Sequence, residues 1–481
     1  MYKDLEKKNY FNLIGNQKKI LFSKYSNFFT HCISSLYINR STLDYKNNYH
    51  YKNFFVLFNF LLFLKKFFLF FSEFLSNKSI IYKQVKNSDK NKNIFIISNV
   101  INKNINKDIY FGNLDEIINK KKYFNCIKIF KNFSIFDELT LWKNLTNKNN
   151  KIILPKTSSF INEIYFTYLS FKEYLRLKSL IILKKIKIDS SYANLISFRN
   201  VLTILPTLRL CHEITKLILA HTPKIIIFTF EGHAWERALI KTIKDIDKNI
   251  IVVAYQFSAI TKLHHSILSN FKKNYSPDII ANSGESTKNI FKRIFKNKTQ
   301  CKVLGSSKYT DIKINIKNNI QILICPENLP NQLNSMLTLS IQLSTFYKNI
   351  KFRFRFHPAV DLNTRLNYLK KIKRIPSNLI ISSDFLKRDL IRCSHIIYRG
   401  TATAIESLNY GVIPIYLNTF NKELDENPLF FNKKLFFTLN NVSDLDNIIK
   451  CKRDLSIHSA SASVYFSKFK LNFFKSIINN K

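Results

Sequence analysis

Apolar residues along this chain fall into two patterns. From residue 93 onward, short unbroken apolar runs alternate with segments where apolar residues recur at helical spacing. The runs are Ile94 to Ile97, Cys126 to Phe130, Lys224 to Phe230 (KIIIFTF), Asn249 to Ala254, Asp278 to Ala281 and Lys302 to Leu304, followed by Ile320 to Ile324, Phe352 to Phe356, Leu379 to Ile381, Ser394 to Tyr398 and Val412 to Leu417. Strands that are apolar throughout are buried on both faces, as in parallel sheets covered by helices. The pattern predicts an α/β chain with two successive series of strands and helices, divided near residues 315 and 316. Residues 160–220 read as mostly helical, and 441–481 as helical and basic.

The first 90 residues do not alternate in this way. Phe54 to Leu75 (FFVLFNFLLFLKKFFLFFSEFL) is the most apolar stretch of the chain, yet Lys65 and Lys66 sit near its middle. A membrane span needs about 20 largely apolar residues. Three readings stay open: a core helix, a helix lying on a membrane surface, and a span. Lys86 to Lys92 (KNSDKNK) reads as a polar linker.

Composition narrows the picture. The chain has 481 residues, 76 basic against 32 acidic side chains and a net charge of +44. Such a charge points toward polyanions. Here Lys, Asn, Ile, Phe and Tyr are all inflated, as in A/T-rich coding sequence, so part of the excess reflects drift on solvated faces. What remains favours phosphate-bearing substrates and anionic lipid headgroups. A nucleic-acid partner is not favoured, because lysine is spread along the chain rather than gathered on one face with interleaved aromatics. The seven cysteines include no CxxC pair, which fits a reducing cytoplasm and implies neither a zinc site nor a disulfide framework. The N-terminus, MYKDLEKKNYFNLIG, lacks the apolar core of a signal peptide.

Scarcity makes glycine and proline informative. Five of the seven glycines lie between Gly232 and Gly411, and nine of the ten prolines lie at or after Pro206, so the chemistry is expected in the C-terminal half. In open parallel sheets ligands bind beyond the carboxyl ends of the strands. Glu231, His233, Gln256, Ser283 and Ser306 follow such ends in the first series, and Glu327, His357 and Arg399 in the second. The stretch Ser394 to Asn418 (SHIIYRGTATAIESLNYGVIPIYLN) reads as strand, turn, short helix and strand. Its turn carries Gly400, Thr401 and Thr403, where backbone can approach a ligand and the helix start offers N–H groups to an anion. Gly411 stands where a helix C-cap glycine belongs.

These motifs together resemble a known group. RFRFHP (Arg353 to Pro358) is similar to the His-Pro motif of bacterial sialyltransferases, polysialyltransferases and CDP-glycerol glycerophosphotransferases, and YRGTATAIESLNYGVIPI to their Ser/Thr-containing turn and helix. FEGHAWE, YQFS, PDIIANSGE and VLGSSKYTD look like surface-carbohydrate transferases of that group. The resemblance covers roughly residues 220–420 well, 91–219 weakly and 1–90 not at all. It implies a GT-B-like fold, with two Rossmann-like domains facing across a cleft. The organisation then expected is an N-terminal Phe/Lys-rich extension (1–90), an acceptor domain (91–315), a nucleotide-donor domain (316–440) and a C-terminal helical segment (441–481).

The resemblance also implies roles. His357 would bind a donor phosphate, Thr401 and Thr403 would cap it, Glu406 would meet ribose hydroxyls, and Glu327 would line the nucleotide site with Arg399 and Gly400. Glu231 and His233 resemble the motif whose carboxylate acts as general base, with Gln256, Ser283 and Ser306 lining the cleft. Phe257 stands where relatives often carry a histidine, so the base falls to Glu231 or His233, or activity is lost. Asp245-Ile246-Asp247 matches the DxD pattern of metal-dependent glycosyltransferases but falls at a predicted helix end, so no metal is implied. No cofactor is expected beyond the nucleotide-activated donor. The implied protein is a cytoplasmic transferase, peripheral at the inner face of the cell membrane, acting on a glycan or glycolipid. A CDP-alcohol phosphotransferase, a CMP-sialic-acid transferase, or a non-catalytic membrane- or polyanion-binding relative are the alternatives.

Overall fold

The computed structural model describes residues 93–478 apart from 101–105, 107, 121–123, 133–137, 146–149, 184–204, 262–274, 296–298, 312–318, 329, 359, 371, 373, 419–426 and 452–460. The Phe54 to Leu75 stretch, the linker after it, and His264 and His265 lie outside the described residues.

Two parallel sheets form the scaffold. In the first series, β1 (Asn93–Val100), α1 (Leu114–Lys120), β2 (Asn125–Asn132), α2 (Glu138–Asn144), β3 (Lys151–Ile153), α3 (Phe160–Ile182) and α4 (Leu205–His221) precede β4 (Ile225–Thr229). Then follow α5 (Ala234–Ile246), β5 (Ile251–Gln256), β6 (Ile279–Asn282), α6 (Glu285–Phe295) and β7 (Gln300–Val303). The second series runs β8 (Gln321–Cys325), α7 (Pro330–Phe346), β9 (Lys351–Phe354), α8 (Leu362–Lys370), β10 (Leu379–Ile381), α9 (Leu386–Arg392) and β11 (His395–Tyr398). It closes with α10 (Thr403–Leu408), β12 (Ile413–Leu417), β13 (Phe437–Leu439), α11 (Asp444–Lys450) and α12 (Asn472–Ile478). Sequence patterning anticipates most of these strands; β3 and β13, each three residues at a sheet edge, were not singled out in it.

The strand orders are β3-β2-β1-β4-β5-β6-β7 and β10-β9-β8-β11-β12-β13. Each sheet therefore grows one way through its first three strands, then reverses beside its first strand. This is the doubly wound Rossmann order, and a crevice opens where the direction reverses. Apolar runs suit it because both faces are covered. In β4, Ile226 and Phe228 enter one core cluster while Ile225 and Ile227 enter another. In β8, Ile322 and Ile324 face one cluster while Leu323 and Cys325 face the other.

The strand β9 shows how one motif serves two purposes. Phe352, Phe354 and Phe356 are buried in the core, whereas the alternate residues Arg353 and Arg355 point the other way. There Asp389, fully buried in α9, accepts Arg353 Nε at 3.1 Å, Arg355 Nη1 at 2.9 Å and Ser382 Oγ at 2.6 Å. The arginines of RFRFHP are thus committed to anchoring the strand whose end presents His357.

The C-terminal segment ties the two units together. After α11, whose Leu445 and Ile448 pack on the second sheet, the chain returns as a helical turn over 461–465 and then reaches the first sheet. Ala462, Tyr465 and Phe466 sit in a second-sheet cluster, while Phe473, Phe474 and Ile477 of α12 sit in a first-sheet cluster. Ser467 N–H donates to the Ser283 carbonyl at 3.0 Å, and its own carbonyl accepts Ser306 N–H at 2.8 Å. A methyl group on Gly284 would lie 2.3 Å from the Val464 carbonyl oxygen, and one on Gly305, at φ +104°, would lie 2.4 Å from that of Lys468. Two of the scarce glycines are therefore explained by this strap.

Candidate functional site

The first crevice centres on the turn after β4. Phe230 ends the buried run, Gly232 takes φ +81°, and α5 begins at Ala234. Glu236, at the third helical position, reaches back and accepts N–H bonds from Glu231 at 2.9 Å and His233 at 2.8 Å. This is half of a capping box, satisfying donors that a helix start otherwise leaves unpaired. Burial pushes the Glu236 carboxyl up to about 7. The turn so fixed holds His233 Nε2 3.1 Å from Glu231 Oε2, with both side chains about one third exposed. Burial pulls the His233 imidazole down, but the Glu231 hydrogen bond and the Glu236 and Glu231 charges outweigh it, so the net direction is up.

Three neighbours complete this centre. Tyr110 lies close enough that the Glu231 charge, with burial as the larger cause, raises its hydroxyl pKa. Phe257 packs edge-on against Tyr110, with ring centroids 4.6 Å apart, so the position of the missing histidine is filled by an aromatic contact. Lys131 Nζ lies 3.6 Å from the centroid of the Trp235 ring, in cation–π geometry. Beside it, a small pocket at the carboxyl ends of β2 and β3 is lined by Lys131, Lys156, Arg209 and Glu213 among others.

The second crevice lies between β8 and β11, which pair in register from His395↔Ile322 to Tyr398↔Cys325. The loops carrying Glu327 and Gly400-Thr401 therefore leave the sheet side by side. Thr401 Oγ1 accepts Thr403 N–H at 3.3 Å and lies 3.1 Å from Thr403 Oγ1, closing the turn. Gly411 takes φ +67° just past α10, as its C-cap place requires. His357 and Glu327 are half-buried. Burial lowers the His357 imidazole, opposed by Glu327 and reinforced by Lys308 and Arg365. Lys308 comes from the loop after β7 on the first sheet, and its Nζ lies 3.5 Å from Glu406 Oε1. The carboxyl edges of the two sheets thus face one another.

Four expected site residues sit differently from the sequence reading. Arg399 is buried, not at a phosphate-facing surface, and its Nη1 donates to the Leu417 carbonyl at 3.4 Å. Gln256 is buried at the end of β5, with Nε2 donating to Ser258 Oγ at 3.1 Å, so it shapes the loop rather than lining an open cleft. Ser306 is covered by the C-terminal strap, and its Oγ accepts Lys308 N–H at 3.1 Å. Ser283 is buried too, with its carbonyl taken by Ser467, although it lines a narrow, largely apolar gap between the sheets. For Ser283 and Ser306 the reason is shared: the strap occupies the carboxyl ends of β6 and β7, and nothing in residues 282–306 signals Ser467, 184 and 161 positions away. Asp245 and Asp247 do fall at a helix end, paired with Lys241 and with Asn249 N–H respectively.

Three participants were not singled out from sequence. Glu236 could have been, since a glutamate three residues after the turn is the capping-box signature. Lys308 carries no signal among 76 basic residues. Tyr110 lies outside the stretch that the motifs cover well.

Two doubly wound sheets facing across a cleft, each with polar residues at its crevice, constitute a GT-B-like fold. No protein-family model matches the chain, and no curated protein matches it. Among solved structures, the UDP-GlcNAc 2-epimerase of Methanocaldococcus jannaschii in complex with UDP-GlcNAc and UDP is similar at TM-score 0.48 and 14% identity, over 81% of this chain and 100% of that one. The S. aureus MnaA–UDP structure is similar at TM-score 0.49 and 11% identity, over 81% and 97%. The lipopolysaccharide outer core galactosyltransferase WaaB is similar at TM-score 0.44 and 12% identity, over 81% and 98%. Likenesses this distant say nothing of activity, which has to be argued from the two crevices.

Proposed function

We propose that this protein is a GT-B-type glycosyltransferase, moving a sugar from a nucleotide-activated donor to a surface polysaccharide or lipopolysaccharide acceptor with inversion and without a metal. The observation that carries the reading is the Glu231–His233 pair, held at the first crevice by buried Glu236, facing a second crevice that presents Glu327, His357, Thr401, Thr403 and Glu406. Inverting transfer needs one base to take the acceptor hydroxyl proton and groups to receive charge on the departing phosphate. Glu231 is the base. Its carboxylate takes the proton as the acceptor oxygen attacks the anomeric carbon, and the bond to the donor phosphate breaks with its electron pair on that phosphate. His233 positions the carboxylate by holding one of its oxygens. On the other side, neutral His357 donates an N–H to the phosphate, the Thr401–Thr403 turn offers hydroxyl and backbone donors, and Lys308 brings positive charge from the facing unit. The pocket beside Lys131 and Arg209, at the carboxyl edge of the first sheet, is the acceptor side.

Thermal unfolding of the full chain with UDP, GDP, CDP, CMP and their sugar conjugates tests this, since a ligand bound only by the native state raises its stability. One base should stabilise selectively, and His357→Ala should abolish that response while leaving the unliganded midpoint in place. Selective stabilisation by CMP or CDP would direct the same chemistry to sialic-acid or CDP-alcohol transfer. No response to any nucleotide would overturn the transferase reading in favour of a non-catalytic relative.

A further inference from the structure

The helix α3 presents its faces in an unusual order. Toward the protein it buries Glu163, Phe166 and Ser170, and Glu163 needs a bidentate bond from Arg209, at 2.7 and 2.9 Å, to sit there. Toward solvent it turns Ile161 (78% exposed), Ile164 (54%), Tyr165 (54%), Tyr168 (57%), Phe171 (40%) and Leu175 (49%). Those positions recur every three to four residues, so they form one stripe along the helix. From Ile161 to Leu175 it runs about 21 Å at the α-helical rise. Solitary exposed apolar side chains are ordinary, whereas a continuous stripe of them marks a surface that something covers.

We propose that this outward face of α3 is the surface by which the protein lies on an anionic lipid membrane. Charge selects that occupant. A second copy would bring another chain of net charge +44 against the first, whereas an anionic bilayer is attracted by it. The stripe also has the composition of an interfacial helix, with tyrosine and phenylalanine among aliphatic residues and a cation beside them. Lys172 Nζ lies 5.9 Å from the centroid of the Tyr168 ring. In sequence the helix is followed by Lys184, Lys185 and Lys187. Among the described residues no helix is long and apolar enough to cross a membrane, so the contact is with the surface. Position gives the contact a use. The helix starts seven residues after β3 ends at Ile153, at the carboxyl edge of the first sheet where Glu231 also lies. A bilayer against α3 lies beside the acceptor half. That use rests on the transferase reading; the membrane contact itself does not.

The test is co-sedimentation of the full chain with vesicles of phosphatidylcholine, with and without a minor share of phosphatidylglycerol, comparing the native protein with a variant carrying Ile161→Ser, Ile164→Ser, Tyr168→Ser and Leu175→Ser. Native protein should pellet with the anionic vesicles, and the variant should bind at least about tenfold more weakly. Its thermal midpoint and its response to nucleotide should be unchanged, because all four positions are exposed. Hydrogen exchange with anionic vesicles should slow within 160–182 of the native chain. Equal vesicle binding by the two proteins, or no protection of 160–182, overturns the proposal. So does a native dimer, seen by light scattering, that the variant converts to monomer with vesicle binding intact. A variant with a lowered midpoint and undiminished vesicle binding overturns it as well, and would point to a segment of the chain's own first 92 residues as the cover. None of these readouts needs transfer activity, so failure here and failure of the transferase reading are distinguishable.

Discussion

Replacing Glu236 by glutamine removes a buried charge while keeping the shape of the side chain. Below about pH 4.5 this carboxyl is protonated whether the chain is folded or not, and it adds nothing to the pH dependence. Between 4.5 and about 7 the unfolded chain has released a proton that the fold still holds, so stability falls as pH rises. Above about 7 the penalty is complete. The interval between 4.5 and about 7 corresponds, at ~1.4 kcal/mol per tenfold, to ~3 kcal/mol. The coupled groups are His233, Glu231 and Arg237, whose charges modulate a value set mainly by burial. In Glu236→Gln the amide, with one acceptor oxygen and a donor, matches the protonated carboxyl that the fold holds at pH 5. Urea unfolding from pH 5 to pH 8 should therefore show nearly equal stability for the two proteins at pH 5, with the wild type losing stability relative to the variant toward pH 8. The chain has two tryptophans, and Trp235 is buried one residue from Glu236, so a Trp142→Phe background makes fluorescence local to the turn. Parallel pH profiles for the two proteins would refute the claim that Glu236 holds its proton near neutrality.

Three further outcomes follow from the geometry. Glu231→Gln should lower the transfer rate about 100- to 10,000-fold with nucleotide affinity unchanged, measured by single-turnover kinetics and thermal shift; full activity would move the base elsewhere. Asp389→Ala leaves the buried Arg353 and the nearby Arg355 without their shared carboxylate, and should cost about 3–5 kcal/mol in urea unfolding. It should also weaken nucleotide binding, because β9 presents His357. Gly305→Ala places a side chain at φ +104° against the Lys468 carbonyl, and should cost at least about 1–3 kcal/mol, with faster hydrogen exchange over 461–478 as the direct sign that the strap has loosened.

The two-sheet architecture was legible because its cause is local. Strands covered on both faces must be apolar throughout, so KIIIFTF and the runs like it mark themselves in sequence. Where the strands run parallel, the ligand edge is known without coordinates, and Glu231, Glu327, His357 and the Gly400–Thr403 turn lie on it. Gly411 was readable for the same reason, since a left-handed residue after a helix is demanded by the turn itself. What tertiary structure alone decided is which polar groups at that edge stay available. Arg399, Ser283 and Ser306 have the chemistry and the place in sequence, but burial and a strap from beyond residue 460 commit them to holding the fold. Arg353 and Arg355 belong to Asp389, though nothing near them in sequence says so. Lys308 gains its place only because two sheets meet. The reversed faces of α3 likewise emerge only when one side of the helix is seen to be occupied. Periodicity records how each residue relates to its own element, whereas the pairing of distant charges and the covering of surfaces are set when the elements pack.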